Sequence, residues 1–131
     1  MSIEGTETVG VIGQGIIGSR VATLLRNTDR HVYVWNRTPK PIPNFLGSPA
    51  EVAQLADIIQ IFVADGTALK QVIAALKDKL EKRHIVLCNG TFDPESVVEA
   101  YQTVRECGAS FLDAPFTGSK PAAEVKQTVF Y

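Results

Sequence analysis

Three glycines stand where a backbone could come close to an anion. In "VGVIGQGIIGSRVA", Gly13, Gly15 and Gly18 form GxGxxG directly after an apolar run of strand length and at the opening of a helical pattern. In that setting the first glycine allows a tight turn, the second lets the backbone approach a pyrophosphate, and the third lets the helix pack closely on the strand. Gln14, Ile16 and Ile17 complete the candidate phosphate loop, where a helix N-terminus offers free N–H groups and its positive dipole end. The second group of interest closes the next apolar run, in "VYVWNRTPKP". A carboxylate at such a strand end would bond the ribose of NAD and repel a 2′-phosphate, whereas an arginine nearby accommodates that phosphate in NADP. Here the carboxylate is absent. Asn36 can bond the sugar without charge, Arg37 can give a forked, charge-assisted pair to the phosphate, and Thr38 can add a hydroxyl. Lys40 is a looser candidate. The stretch reads as a 2′-phosphate site and NADP as the cofactor, with Trp35 serving core or edge packing rather than adenine stacking.

The elements that must position these residues follow from the apolar pattern. Runs of strand length recur at "TVGVI" (8–12), "HVYVW" (31–35), "IIQIFV" (58–63), "HIVLC" (84–88) and "SFLDA" (110–114). Between them lie helical periodicities. Ile17, Val21, Leu24 and Leu25 share one face, as do Leu69, Val72, Ile73, Leu76 and Leu80. Ser48, Pro49 and Glu51 predict a capping box with proline at the first helical position, and Asp93-Pro94 repeats the cap-then-proline pattern. Strand and helix alternate, and the strands are too continuously apolar to leave a face in water. That combination predicts an α/β domain with a doubly wound parallel sheet covered by helices on both sides. The proline-rich "RTPKPIPNFLG" reads as the loop from the second strand to the next helix.

Composition narrows the partners. A chain of 131 residues with 45% apolar and 21% charged residues is about one domain of ordinary composition. A net charge of −1 argues against a general nucleic-acid or membrane-surface binder, because both need a clustered positive field. No apolar run approaches a membrane span, and "MSIEGTET" lacks the regions of a secretion signal, so the expected location is cytoplasmic. The spacing of Cys88 and Cys107 matches neither a zinc site nor CxxC redox chemistry, and no metal site is expected. His31 and His84 precede or open strands without a motif partner, and read as surface or strand-edge structural residues.

These motifs together resemble the N-terminal domain of the β-hydroxyacid dehydrogenases, the 3-hydroxyisobutyrate and 6-phosphogluconate dehydrogenase superfamily. The resemblance covers nearly the whole chain: the glycine-rich start, the "NRT" strand end, "TFDPES" beside the family's "TVDPET", and "FLDAPFTGSKPAAE" beside its "DAPVSGG". It implies a Rossmann fold over 1–131, with 116–131 forming a substrate loop and the start of a further strand. It places Val63 and Ala64 along the cofactor and Thr91 on its nicotinamide side. Thr117 and Gly118 fall where the family bonds a substrate carboxylate. Ser119 replaces the family's second glycine there, adding a hydroxyl and removing backbone freedom. Phe116 replaces a valine, and Asn89-Gly90 a methionine and a serine, so the substrate pocket departs from the pattern.

The implied activity is hydride transfer between NADP(H) and a small carboxylate-bearing hydroxyacid or aldehyde acid. Such transfer needs a donor for the developing alkoxide. The resemblance assigns that role to a lysine beyond residue 131, followed by a helical domain; a homodimer is expected, through that domain or through the exposed end of the sheet. Lys120 and Lys126 sit in the wrong part of the motif and read as surface residues, so no catalytic residue is expected within these residues. Two rival readings are an imine reductase of the same superfamily and a non-catalytic NADP-binding module.

Overall fold

Valine and isoleucine dominate the apolar runs, and their branched side chains suit a pleated surface buried on both faces. The computed structural model describes residues 8–13, 16–28, 31–63, 65–89 and 93–113. In chain order the elements are β1 (Thr8–Ile12), α1 (Ile16–Arg26), β2 (His31–Trp35), α2 (Pro49–Leu55), β3 (Ile58–Ile61), α3 (Gly66–Leu76), β4 (Ile85–Cys88), α4 (Pro94–Glu106) and β5 (Ser110–Asp113). The five strands are all parallel, in the spatial order β2-β1-β3-β4-β5. This is the doubly wound α/β fold expected from the alternation.

Alternate residues of each strand serve two separate cores. Val9, Val11, Val32 and Val34 pack with Val21, Ala22 and Leu25 of α1. Ile12, Ile59, Ile61, Val86 and Phe111 face the other way, into a larger core with residues of α2, α3 and α4. Among the described residues coverage is therefore unequal. On the α1 side, Ile85 of β4 and Leu112 of β5 remain 38% and 51% exposed. Gln60 of β3, in register with Val11 and Leu87 on that same side, is completely buried. Among the described residues neither its amide nitrogen nor its amide oxygen has a hydrogen-bond partner.

Helix ends are fixed by short polar side chains. Ser48 Oγ accepts from the N–H of Glu51 at 3.2 Å, as a capping box requires. The Glu51 carboxylate reaches back one residue further than that motif specifies, accepting from Gly47 N–H at 2.8 Å. Asp93 caps α4 through the Ser96 N–H, with proline next in line. Asp65 caps α3 through the Ala68 N–H, an N-cap hidden in the sequence by its Asp-Gly neighbour, which reads as a turn. The C-terminus of α2 is closed from outside. Arg83 donates to Ala53 O and Gln54 O and pairs with Asp57, which brings a cation to the negative end of the helix. His84 is buried beside it. Its Nδ1 accepts from Glu81 N–H at 2.9 Å, so its Nε2 carries the proton and donates to Ala53 O at 2.7 Å. His84 is thus a structural residue, as expected, but an interior one.

Strand ends differ slightly from the apolar runs. β3 stops at Ile61, because Phe62 and Val63 leave the regular ladder, although Phe62 N–H still bonds Ile12 O. His84 lies outside β4, since its N–H closes a turn onto Glu81 O. Leu80 lies past the end of α3, whose C-cap is Lys77, yet remains in the core.

Candidate functional site

The strand order reverses direction at β1: the chain leaves it for β2 on one side and returns to β3 on the other. In parallel sheets the carboxyl ends of the strands at such a reversal leave a crevice where ligands bind. Gly13 follows β1 there, Asn36 follows β2, and Phe62 and Val63 follow β3. The sequence candidates that the structure describes therefore converge on one edge of the sheet. Arg83 and His84, just ahead of β4, lie at the opposite end of the parallel strands and serve the fold.

Gly13 makes the turn at β1 possible. Its φ is +101°, a conformation that side chains disfavour, and a Cβ there would come within 1.8 Å of the Phe62 carbonyl oxygen. Its N–H is bonded to Trp35 O at 2.8 Å, which ties the ends of β1 and β2 together. Gly18, in the first turn of α1, is also constrained: a Cβ would lie 2.0 Å from the Gly13 carbonyl oxygen. The two glycines let α1 start almost in contact with the end of β1. Ile16 and Ile17 form the first helical residues, and no acidic residue stands in that first turn to oppose an anion. Gln14 and Gly15 lie outside the described residues.

The corner after β2 is shaped by its own asparagine. Asn36 Nδ2 donates to Thr38 O at 2.8 Å, closing a local turn around Arg37. Arg37 and Thr38 are exposed, and Arg37 Nη2 donates to Gln71 Oε1 on α3 at 3.2 Å. Lys40 is exposed further along the loop. The loop then turns back along the free edge of β2. Val34 N–H bonds Asn44 O, Leu46 N–H bonds Val34 O, and Phe45 forms an isolated bridge with Val34. Asn44 makes the reversal at φ 59°, where asparagine is better tolerated than most residues, and its Nδ2 donates to Val32 O. The edge of the sheet is thereby covered, and the corner carrying Arg37 is anchored on both sides.

Trp35 and Val63 are partly buried and pack against the larger core, so tryptophan serves packing as expected. Asn89, after β4, is buried at this same edge. Ala64, Thr91, the substrate-loop residues Thr117, Gly118 and Ser119, and the lysines Lys120 and Lys126 lie outside the described residues. Cys88 is buried in β4, and Cys107 ends α4, where burial and the neighbouring Glu106 push its thiol pKa up. Among the described residues no cluster of histidine, cysteine and carboxylate side chains could hold a metal ion, and no helix is long and apolar enough to cross a membrane. Gln71 is a polar contact of this corner that sequence reasoning missed, because only the fold brings it to Arg37.

The arrangement fits a dinucleotide: a glycine turn and a glycine helix start packed too closely for any Cβ, a first helical turn free of acidic residues, and a strand end without a carboxylate. The model of the NAD binding domain of 6-phosphogluconate dehydrogenase matches residues 8–131. The chain is 31% identical over 122 residues to the cytokine-like nuclear factor N-PAC of Danio rerio, covering 86% of this chain and 26% of that one. It is 30% identical over 138 residues to the chloroplastic glyoxylate/succinic semialdehyde reductase 2 of Arabidopsis thaliana, covering 96% of this chain and 38% of the reductase. The fold superposes on the 3-hydroxyisobutyrate dehydrogenase of Mycobacterium tuberculosis with a TM-score of 0.80 at 17% identity, over 92% of this chain and 44% of that one. The chain thus spans less than half the length of these proteins.

Proposed function

The chain belongs to the family of the 6-phosphogluconate dehydrogenase NAD-binding domain, and from that membership we propose that it binds NADP(H) in preference to NAD(H) at the β1/β3 reversal. The observation that carries the preference is the corner after β2, where Asn36 closes a turn around an exposed arginine and no carboxylate stands to bond a free ribose. The loop between Gly13 and Gly18, with the start of α1, would hold the pyrophosphate. Arg37 and Thr38 would hold the 2′-phosphate, and Val63, Ala64 and Thr91 would line the path toward the nicotinamide. Bound there, the cofactor supplies or accepts a hydride. What this chain contributes is orientation: a fixed turn, a helix end and a cation at the far end of the nucleotide.

The test is a titration of wild type and Arg37→Ala with NADPH and NADH. A charge-assisted hydrogen bond is worth about 1.5 to 3 kcal/mol, so loss of Arg37 should weaken NADPH binding by roughly ten- to a hundredfold and leave NADH binding nearly unchanged. Equal wild-type affinity for the two cofactors sinks the assignment.

For the whole protein, the likeness to a glyoxylate/succinic semialdehyde reductase supports a small carboxylate-bearing carbonyl compound as substrate. Thr117, Gly118 and Ser119 are the proposed carboxylate-binding residues, and the proton donor is assigned to sequence outside this chain. The equal likeness to a nuclear factor supports a second reading, a cofactor-binding module that performs no chemistry. NADPH oxidation with glyoxylate or succinic semialdehyde, by a protein extended through the following domain, separates the two. Turnover supports the reductase, and tight NADPH binding without turnover supports the module.

A further inference from the structure

We infer that Gln71 is a positioning residue for the 2′-phosphate subsite, holding the Arg37 guanidinium in place without neutralising it; this rests on the NADP reading above. Arg37 is an exposed residue on a loop, and a long side chain there would sample many rotamers before meeting a phosphate. In the structure it is not left to do so. Its Nη2 donates to Gln71 Oε1 at 3.2 Å, across a sequence separation of 34 residues. Gln71 stands on a firm support. It is exposed on α3, whose Leu69, Val72, Ile73 and Leu76 are buried in the larger core and whose start is capped by Asp65. The two ends of the contact are thus a corner shaped by the Asn36 turn and a helix fixed by packing.

The chemistry of the acceptor matters as much as its place. A guanidinium has five N–H donors, so one bond to an amide oxygen leaves the others for a phosphate, and a bidentate pair keeps its geometry. Among the described residues Arg37 pairs with no carboxylate; the ion pairs found there join Lys70 to Glu99 and Arg83 to Asp57 and Glu81. A neutral amide orients the cation and leaves its charge intact. A glutamate at 71 would orient it equally well, but would cancel that charge and repel a second anion.

Three variants of the full chain separate placement from charge, with dissociation constants for NADPH and NADH as the readout and thermal unfolding as the check on folding. Gln71→Ala should weaken NADPH binding about three- to tenfold and leave NADH binding unchanged. Gln71→Glu should weaken NADPH binding further than Gln71→Ala, again without effect on NADH. In an Arg37→Ala background, Gln71→Ala should have no additional effect on NADPH, because its role passes through Arg37. The inference is overturned if Gln71→Ala binds NADPH as wild type does, if Gln71→Glu binds it as well as or better than Gln71→Ala, or if the two losses simply add. A wild type that does not prefer NADPH overturns the cofactor reading and this inference together. A wild type that prefers NADPH through Arg37 but is indifferent to Gln71 overturns this inference alone.

Discussion

At the scale of single residues, the glycine motif is a statement about distances. Gly18 is needed because the Gly13 carbonyl occupies the space of its side chain, and Gly13 because its φ is positive and the Phe62 carbonyl stands where its Cβ would be. Alanine in place of glycine within a helix ordinarily gains about 1 kcal/mol. At Gly18 the added methyl would sit 2.0 Å from a backbone oxygen, which has no flexible end to move aside. Gly18→Ala should therefore destabilise the fold by about 1 to 3 kcal/mol, the usual cost of overpacking. Urea unfolding measures it directly, and a midpoint at or above that of wild type would show that α1 does not approach β1 so closely. The glycines were legible in the sequence because their spacing encodes a backbone geometry. The Arg37–Gln71 contact was not, because no local pattern links residues on a loop and a helix so far apart in the chain.

At the scale of elements, what could be read was whatever depends on near neighbours. Ser48 and Asp93 announced their helices through the residues that follow them, and the structure places both side chains on the expected N–H groups. Asp65 was missed because Asp-Gly is also a turn signal, and only the buried face of α3 decides between the two. Strand centres were legible from apolar runs, whereas their ends depend on tertiary bonds such as the His84 turn. The cap of α4 has a consequence in acid. The Ser96 N–H, and then its hydroxyl, hold the Asp93 carboxyl below its ordinary range, so the folded state favours its ionised form. A depressed carboxyl pKa stabilises the fold above the unfolded value, and that contribution disappears as pH falls through the folded value. Asp93→Asn keeps a capping side chain but cannot ionise. Wild type should exceed it in urea midpoint at pH 7, and the difference should shrink below about pH 4 and vanish in stronger acid. A difference that persists unchanged at pH 2 would mean that the charge is not what stabilises the cap.

At the scale of the whole molecule, the described residues coat the sheet unequally, with three helices on one side and one on the other. Nothing in the apolar pattern signals this, since every strand is apolar enough to be covered twice. Leu112 and Ile85 are exposed because α1 reaches only the β1 and β2 half of its face, and Gln60 marks the boundary with a buried amide that lacks a partner among the described residues. The strand order has a further, mechanical meaning. Among the described residues, β1, the first strand, lies between β2 and β3, whereas β5, the last, pairs with β4 alone. A force applied at the amino end must shear a central strand free of two neighbours at once. Among the described strands, force from the carboxyl side peels β5, then β4, then β3, breaking one ladder at a time. A processive unfolding protease should accordingly degrade the chain faster from a tag at its carboxyl end than from the same tag at its amino end, because forced unfolding follows the barrier met first rather than the equilibrium stability. Equal rates from the two ends would show that the sheet gives way as a single unit, whichever strand is pulled.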